Sequence, residues 1–363
     1  MSILALMPDS YGGQGGIAQY YRDLFDALSG VPYLDGIVSL PRHAPKDIIK
    51  LPKRITERPL PNSPIRYSAA AIIQALKQRP NVILCGHINL ISLAATLKRL
   101  TGARLALQVH GVEAWHPGGK ARLWAINQTD CVLAVSRYTR ERVLSWSGLK
   151  PYKVRVIPNT IRMGFYQAGG KPPYLVNRYK AEGKRVLLTL GRLSSKDRYK
   201  GHDRIIAVLP ELIKRIPNLL YIVAGEGDDC SRLEKLVETY GMQGYVLFTG
   251  NIRSDEKTDH YQLADAFAMP STGEGFGIAF LEAAACGLPV LGGSKDGSRD
   301  ALLDGELGVM VDPTDPKQLL DGLQEILQRR KQVPEQLKSF GFSHFREQVD
   351  RVFSIMLNTK PSR

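Results

Sequence analysis

Short apolar runs alternate with longer amphipathic stretches along the whole chain. Apolar runs that are each followed by a helical pattern are typical of parallel strands buried on both faces. The predicted strands are 3–8, 35–40, 81–86, 104–111, 130–136 and 154–159, then 185–193, 219–227, 245–252, 265–271, 288–293 and 307–312. The predicted helices are 17–29, 66–78, 89–101, 118–128 and 137–146, then 202–215, 229–240, 255–263, 277–286, 297–303 and 316–330.

These two series of strands predict two domains. A chain of 363 residues is long enough for two domains of ordinary size. Residues 160–184 are polar, contain Gly and Pro and lack a clear period, so they are the predicted connection. We expect an α/β protein with two Rossmann-like, doubly wound parallel-sheet domains, at 1–165 and 166–341, which face a cleft at the carboxyl ends of their strands.

Composition narrows the class of protein. Apolar residues make up 44% and charged residues 23%, which is globular composition. No uninterrupted apolar stretch reaches the roughly 18 residues of a membrane span, and the first residues lack the features of a signal peptide. The four cysteines lack metal-ligand spacing. We expect a reduced, cytoplasmic chain, or one that lies peripherally on the inner face of the cell membrane.

The net charge of +14 is concentrated in the first half of the chain. Residues 1–165 contain 22 Lys and Arg against 9 Asp and Glu, whereas residues 166–363 contain 27 against 26. This asymmetry indicates an acidic partner, which is anionic lipid, nucleic acid or an acidic small molecule. No aromatic stripe, zinc finger or recognition-helix pattern supports nucleic acid.

Two motifs in the first half lie at predicted strand ends. Glycines at 12, 13, 15 and 16 lead directly into a helix. Such a loop can bring backbone N–H groups close to a phosphate, and a flexible turn is the other interpretation. His110 ends the strand at 104–111. A lone histidine there is more often structural, but its place at a strand end also fits a hydrogen bond to a substrate hydroxyl.

The strand at 185–193 leads into GRLSSKDRYKGHD, which contains Arg192 and Lys200. A planar guanidinium and a compact ammonium, with no acid directly opposing each, suit a diphosphate. The alternative is a pair of solvated surface charges.

Glu274 and Glu282 flank GFGIAFL near the end of another predicted strand. Their spacing is close to two helical turns, so both carboxylates can face one side. Gly275 and Gly277 would leave backbone N–H groups open between them, which suits a polyol attached to a phosphate.

No Asp-x-Asp occurs in the chain, and no His/Cys cluster has metal-ligand spacing. We therefore expect protein cations and helix amino ends to neutralise a bound phosphate. No metal and no cofactor are predicted.

Taken together, the GGQGG loop, HGVE, GRLSS with YKGHD, AGEGD, EGFGIAFLE and GLPVLGG resemble the family 4 glycosyltransferases of the GT-B fold. The resemblance spans nearly the whole chain and is tightest between 185 and 312. It implies two domains that close over a nucleotide sugar, with a C-terminal helix (342–357, within the segment 342–363) that crosses back onto the first domain. It also implies retention of anomeric configuration without a side-chain nucleophile.

The resemblance assigns roles to particular residues. The implied catalytic residues are His110, Arg192, Lys200 and Glu274. The residues implied to bind the donor are Gly15, Gly16, Gly225, Ile252, Arg253, Phe276, Gly277, Ile278 and Glu282.

Each part of the donor has its own implied contacts. The diphosphate would contact Arg192, Lys200 and the backbone of Gly15 and Gly16. Glu282 would bind the ribose hydroxyls, and the base would lie near Ile252 and Arg253.

The sugar is the remaining part of the donor. Glu274 and the backbone of Phe276–Ile278 would bind its hydroxyls, His110 would face it, and Gly225 would shape the floor of the pocket. The loop SKDGSRDAL departs from the family, which usually has an acidic pair there, because it presents Lys295 and Arg299.

The predicted function is therefore a retaining, metal-independent hexosyltransferase that builds a polysaccharide or lipid-linked glycan. A UDP-sugar such as UDP-glucose is the favoured donor, followed by GDP-mannose. The alternatives are a GT-B phosphorylase or sugar-phosphate synthase, and a non-enzymatic nucleic-acid binder.

Residues 42–66 form the most basic segment, with seven Lys and Arg against two Asp and Glu. Apolar Ile48, Ile49 and Ile55 alternate with these charges, and prolines argue against one continuous helix. We expect a mobile basic-apolar loop that docks on an anionic membrane surface. A solvated loop that only aids solubility is the alternative.

Overall fold

The computed structural model describes residues 1–9, 11–13, 15–43, 51–60 and 63–358. They form two compact units. The first unit comprises Met1–Thr160 and the chain from Phe342 onward, and the second comprises Ile161–Gly341.

The first unit has a seven-stranded parallel sheet in the order β3-β2-β1-β4-β5-β6-β7. Its strands are β1 Ser2–Asp9, β2 Gly36–His43, β3 Ile55–Glu57, β4 Val82–Cys85, β5 Arg104–Val109, β6 Cys131–Ala134 and β7 Val154–Val156. Its helices are α1 Gly16–Ser29, α2 Pro64–Gln78, α3 Ile91–Thr101, α4 Lys120–Asn127, α5 Arg137–Ser147 and the C-terminal α13 Phe342–Asn358. Helix α13 packs against α1.

The second unit has a six-stranded parallel sheet in the order β10-β9-β8-β11-β12-β13. Its strands are β8 Arg185–Leu190, β9 Leu219–Ala224, β10 Val246–Gly250, β11 Ala266–Met269, β12 Val290–Gly293 and β13 Val309–Val311. Its helices are α6 Pro173–Tyr179, α7 His202–Arg215, α8 Cys230–Thr239, α9 Lys257–Leu263, α10 Ile278–Ala285, α11 Ser298–Ala301 and α12 Pro316–Gln328.

Each sheet is buried by helices, as the uninterrupted apolar runs predict. All residues of β4, β6, β9 and β11 are buried. The strand order reverses between β1 and β4 in the first unit and between β8 and β11 in the second. Ligands of doubly wound sheets bind where the order reverses, at the carboxyl ends of the strands. The predicted α/β class with two parallel-sheet units is confirmed.

Two elements appear where the sequence predicted irregular chain. Strand β3 lies in the basic segment and pairs with β2, and its Ile55 is buried. A mobile loop is therefore wrong for Ile55–Glu57; Ile48, Ile49 and Lys50 lie outside the described residues. Helix α6 lies in the predicted connection, where a proline fits its first turn and Leu175 is buried.

The chain enters and leaves the second unit at adjacent points. The backbone N–H of Ile161 donates to the carbonyl of Phe340 (2.9 Å), and Ile161 forms a parallel bridge with Gly341. No helix in the described part of the chain is both long and apolar enough to cross a membrane.

Candidate functional site

The first part of the site is the turn that follows β8 in the second unit. After Leu190 the chain forms a 3-10 turn over Ser195–Lys200, and Gly201, with a φ of +81°, starts α7. Glycine is required at this position because a Cβ there would lie 2.4 Å from the carbonyl oxygen of Pro270. This turn brings Lys200 back over Gly191, so that its Nζ lies 2.9 Å from where a Cβ on Gly191 would be.

The two predicted cations differ in their partners. Arg192 Nε donates to Asp197 Oδ2 at 2.7 Å, and the Asp197 side chain is only 7% exposed. The prediction that no acid opposes Arg192 is therefore wrong, because the 3-10 turn folds Asp197 back onto it. Lys200 forms no salt bridge with any residue in the described ranges, so its charge is available to a ligand.

Glu274 lies in the loop between β11 and α10, close enough to Lys200 for their charges to interact. Its Oε2 atom is buried and has no hydrogen-bond partner among the described residues. Burial raises the pKa of Glu274, and the nearby Lys200 ammonium opposes that rise. A buried oxygen of this kind, beside a cation, is suited to a hydrogen bond with a ligand hydroxyl.

The turn and the Glu274 loop are fastened to each other. The backbone N–H of Thr272 donates to the carbonyl of Tyr199 (2.9 Å). A Cβ on Gly273 would lie 2.6 Å from the Tyr199 ring, so glycine allows this close packing. Lys200 and Glu274 are therefore positioned together.

Sequence reasoning missed Asp296, which holds the Glu274 loop in place. Asp296 is fully buried, and it accepts hydrogen bonds from the backbone N–H of Glu274 (2.7 Å), the backbone N–H of Ser298 (2.9 Å) and the Ser271 hydroxyl. The motif SKDGSRD contains this acid, but the prediction made from the motif concerned only its cations, Lys295 and Arg299.

Those cations are engaged elsewhere. Lys295 pairs with Asp312 (2.6 Å) and Arg299 with Asp304 (2.9 Å). Each of the two cations by which this loop departs from the family pattern therefore has an acid partner of its own.

Helix α10 starts one residue after the predicted start at 277. Its first residue is Ile278, and Gly277 precedes it with a φ of +91°. Phe276 is buried against the ring of Phe340. Glu274 therefore lies in the loop before the helix that carries Glu282, as the sequence predicted.

Glu282 lies in a separate cluster. It is almost fully buried, and its Oε1 accepts from Tyr166 (2.7 Å) and Lys257 Nζ (2.6 Å), while Oε2 accepts from Tyr261 (2.7 Å). Sequence reasoning missed all three donors, since Tyr166 lies 116 residues away. The implied ribose contact would have to be made by a carboxylate that already has three partners.

The remaining predicted residues of the second unit lie at the ends of β9 and β10. Gly225, with a φ of +145°, lets its backbone approach Gly191, whose carbonyl oxygen would be 1.9 Å from an added Cβ. Its role in the structure is thus close packing of two loops. Ile252 and Arg253 follow β10, and Arg253 is exposed and paired with Asp255 (2.6 Å).

In the first unit, the glycine loop precedes α1. Gly15 has a φ of +90°, and Gly16 is the first residue of the helix. Arg22 donates to the carbonyls of Gly13 (2.6 Å) and Tyr11 (3.2 Å), and Glu57 of β3 accepts from the Tyr11 N–H (2.9 Å). The carbonyls of Tyr11 and Gly13 are thereby turned toward Arg22.

His110 is held by aromatic residues of α1. The Tyr21 hydroxyl donates to the carbonyl of Gly86, so its oxygen accepts from His110 Nε2 (2.6 Å). Glu113 accepts from the backbone N–H of His110 at 2.6 Å. Burial, together with the nearby charge of His87, lowers the pKa of His110 to about 3. The ring is therefore neutral at physiological pH and acts as a hydrogen-bonding group.

No group of three or more His, Cys, Asp or Glu side chains in the described ranges is arranged to hold a metal ion. A cavity of about 770 Å³ lies at the amino ends of β8, β9 and β11, where Arg185, Asn218 and Asp265 line it. It contains none of the predicted site residues.

Family models match both halves of the chain. Residues 15–164 match "Glycosyltransferase Family 4", and residues 176–343 match "Glycosyl transferases group 1". The two matches correspond to the two units of the structure.

Individual relatives agree with these matches. The chain is 33% identical over 249 residues to a GDP-mannose-dependent alpha-(1-6)-phosphatidylinositol monomannoside mannosyltransferase of Mycolicibacterium smegmatis, covering 65% of this chain and 64% of that protein. It is 27% identical over 248 residues to the phosphatidylinositol N-acetylglucosaminyltransferase gpi3 subunit of Schizosaccharomyces pombe, covering 66% of this chain and 52% of that protein. The matched part is thus less than two thirds of each of these two relatives.

Solved structures share the whole fold. Anabaena Alr3699/HepE in complex with UDP superposes with a TM-score of 0.78 at 19% identity, covering 98% of this chain and all of that one. Sucrose-phosphate synthase from Thermosynechococcus elongatus gives a TM-score of 0.79 at 19% identity, with 98% of both chains covered. With both units matched, the chain belongs to the family 4 glycosyltransferases and has their GT-B fold.

Proposed function

We propose that this glycosyltransferase transfers a mannosyl group, with retention of configuration, from GDP-mannose to a lipid-linked acceptor. The observation that carries the proposal is Lys200, a cation without a salt-bridge partner in the described chain, beside the buried Oε2 of Glu274. One supplies charge for a departing diphosphate, and the other accepts from a sugar hydroxyl.

The choice of donor rests on the relatives. The mycobacterial relative at 33% identity is described as GDP-mannose-dependent and acts on a phosphatidylinositol mannoside. This favours GDP-mannose over the UDP-sugar expected from the sequence, which stays the second candidate. A thermal-shift comparison of GDP-mannose with UDP-glucose tests the order, because a ligand at 100 times its Kd stabilises by about 2.7 kcal/mol. Stabilisation by UDP-glucose alone would reverse it.

The proposed chemistry needs no side-chain nucleophile. Lys200 and the amino end of α10 stabilise negative charge as the bond between the sugar C1 and the diphosphate breaks. The acceptor hydroxyl attacks C1 from the same face, and its proton passes to the departing phosphate oxygen. Neutral His110 donates through Nε2 to Tyr21, which leaves Nδ1 to accept a hydrogen bond from a substrate hydroxyl. An NMR spectrum of the product should show the donor's α configuration, and an inverted product would refute the mechanism.

Transfer is proposed to be independent of divalent metal, because the sequence lacks Asp-x-Asp. Initial rates should be unchanged when EDTA replaces magnesium in the assay. An absolute requirement for added magnesium or manganese would show that Lys200 and α10 are insufficient to hold the diphosphate.

We propose that the enzyme binds its lipid-linked acceptor at an anionic membrane surface, on the inner face of the cell membrane. The basic segment 42–66 runs into the first turn of α2, whose solvent side carries Ile65 (82% exposed), Ile73 and Leu76. Apolar side chains on one helix face, in a part of the sequence rich in Lys and Arg, favour an anionic bilayer interface.

Vesicle co-sedimentation tests this surface. Binding should require anionic phosphatidylglycerol, weaken with salt, and fall when Ile65 and Ile73 are both changed to Ser. Tyr152→Ser, which removes another exposed apolar side chain of the first unit, is the matched control. Equal binding to neutral vesicles would contradict the proposal.

A further inference from the structure

The Glu282 carboxylate already accepts too many hydrogen bonds from protein donors to bind both hydroxyls of a ribose as well. An ionised carboxylate accepts about four hydrogen bonds, and Tyr166, Lys257 and Tyr261 already supply three. The 2′ and 3′ hydroxyls of a ribose would bring two more donors. One protein donor must therefore leave when Glu282 binds both hydroxyls.

The three donors differ in how easily they can leave. Tyr261 is fully buried on α9, where burial and the neighbouring Glu282 raise its pKa well above the usual value, so its hydroxyl keeps its proton and donates. Lys257 compensates the charge of a carboxylate that is only 3% exposed. Removing the cation from a buried ion pair leaves an uncompensated charge, which is strongly unfavourable. Tyr166 is neutral, partly exposed and outside any helix or strand.

The backbone around Tyr166 can stay in place while its side chain moves. Thr258 Oγ1 donates to the carbonyl of Phe165 (3.1 Å), and Gln262 Nε2 donates to the carbonyl of Gln167 (3.0 Å). Both bonds tie the segment to α9 on either side of Tyr166. Moving the Tyr166 side chain off Glu282 would break its hydrogen bond and its ring contacts with Tyr261 and Lys257 Nζ (5.8 Å), and it would leave both backbone bonds in place.

On the basis of the proposed use of a nucleotide sugar, we propose that the Tyr166 hydroxyl occupies the place of a ribose hydroxyl on Glu282 and is exchanged for it when the nucleotide binds. Lys257 is a positioning residue that holds the carboxylate for the ribose. Lys257 is well placed for this role, since it is the first residue of α9, directly after the turn that follows Ile252 and Arg253. On the Glu282 carboxylate, Lys257 thus stays when the ribose binds, and Tyr166 is replaced.

Calorimetric titration of the full chain with GDP and with 2′-deoxy-GDP tests both roles. Lys257→Met should weaken GDP binding by about tenfold, in the range for loss of one charged hydrogen bond, whereas Lys257→Arg should largely restore it. Tyr166→Phe should leave GDP binding unchanged or tighten it. The matched controls are Lys214→Met, which removes a surface ion pair with Glu211, and Tyr174→Phe, which removes a comparable hydrogen bond to Asp259.

The deoxynucleotide separates a positioning role from a general structural one. If Lys257 acts through the ribose, Lys257→Met should weaken 2′-deoxy-GDP much less than GDP. Equal weakening of both nucleotides, or weakening by Tyr166→Phe as large as that by Lys257→Met, overturns the inference and leaves the proposed function intact. Absence of binding of both GDP and UDP to the wild-type chain would instead refute the proposed function and the inference with it.

Discussion

Replacing Lys200 by Met tests the central claim about the site. The substitution keeps most of the aliphatic stem, which packs over Gly191, and removes only the ammonium group. The structure predicts a loss of kcat rather than of donor affinity, because the ammonium acts most strongly when negative charge develops on the departing diphosphate.

The expected size follows from the charges around the turn. Arg192 is already paired with the poorly exposed Asp197, so its charge is partly compensated. A second cation about 4 Å from a phosphate oxygen, at an effective dielectric constant of about 20, is worth about 4 kcal/mol. Only the part that grows toward the transition state counts, so kcat should fall by roughly 10² to 10³.

The assay is steady-state transfer with varied donor, together with a thermal melt to confirm folding. Lys196→Met is the matched control, because Lys196 is exposed on the same 3-10 turn, and it should change kcat by less than about twofold. An unchanged kcat together with an unchanged donor KM in Lys200→Met would show that Lys200 is only a surface charge. A raised donor KM with unchanged kcat would show that it contributes to binding alone.

Three further predictions concern the supports of the site. Asp296→Asn replaces one carboxylate oxygen by an NH2 group, which cannot accept from the backbone N–H of Glu274 or Ser298, so kcat should fall about tenfold and the free energy of unfolding by about 1–3 kcal/mol; a loss of stability with an unchanged kcat would make Asp296 merely structural. Gly225→Ala should destabilise by about 1–3 kcal/mol more than Gly241→Ala in chemical denaturation, since both glycines have positive φ but only Gly225 faces an obstructing carbonyl. Burial lowers the pKa of His202 to about 4, so the unfolded chain binds the proton first as pH falls. The contribution of His202 to stability should drop by about 2 kcal/mol between roughly pH 7 and pH 5, and His202→Gln should reduce the loss measured for the wild-type chain by that amount.

The alternation of apolar runs with helical periods was sufficient to predict the α/β fold. Helix α7 begins and ends where its pattern predicts, since Gly201 precedes it and buried Ile205, Leu209 and Leu212 recur at helical spacing. Strand β3 was not predictable, because one buried Ile55 among charged residues gives no strand signal. Its partner β2 determines its conformation through long-range pairing.

The candidate site was predictable in its positions but not in its partners. Motif spacing located Lys200 and Glu274 at strand carboxyl ends, where the structure also has them. The Asp197–Arg192 pair depends on the geometry of a 3-10 turn, and the Tyr166–Glu282 bond joins residues far apart in sequence. Because neither contact depends on a local pattern, composition and motif spacing could not predict either one.

The second unit is an insertion into the first, because the first unit resumes at Phe342, directly after the second unit ends. The two ends of the second unit are bridged at Ile161 and Gly341, so excising residues 161–341 cuts the chain at neighbouring points and leaves the six-stranded sheet whole. Domains with adjacent termini tolerate such excision and circular permutation. The first unit is different, because a chain stopped at Thr160 would lack α13 and expose the face of α1 that it covers. The second unit is therefore the part of this enzyme that can be moved as a cassette, and the first must keep both of its chain segments.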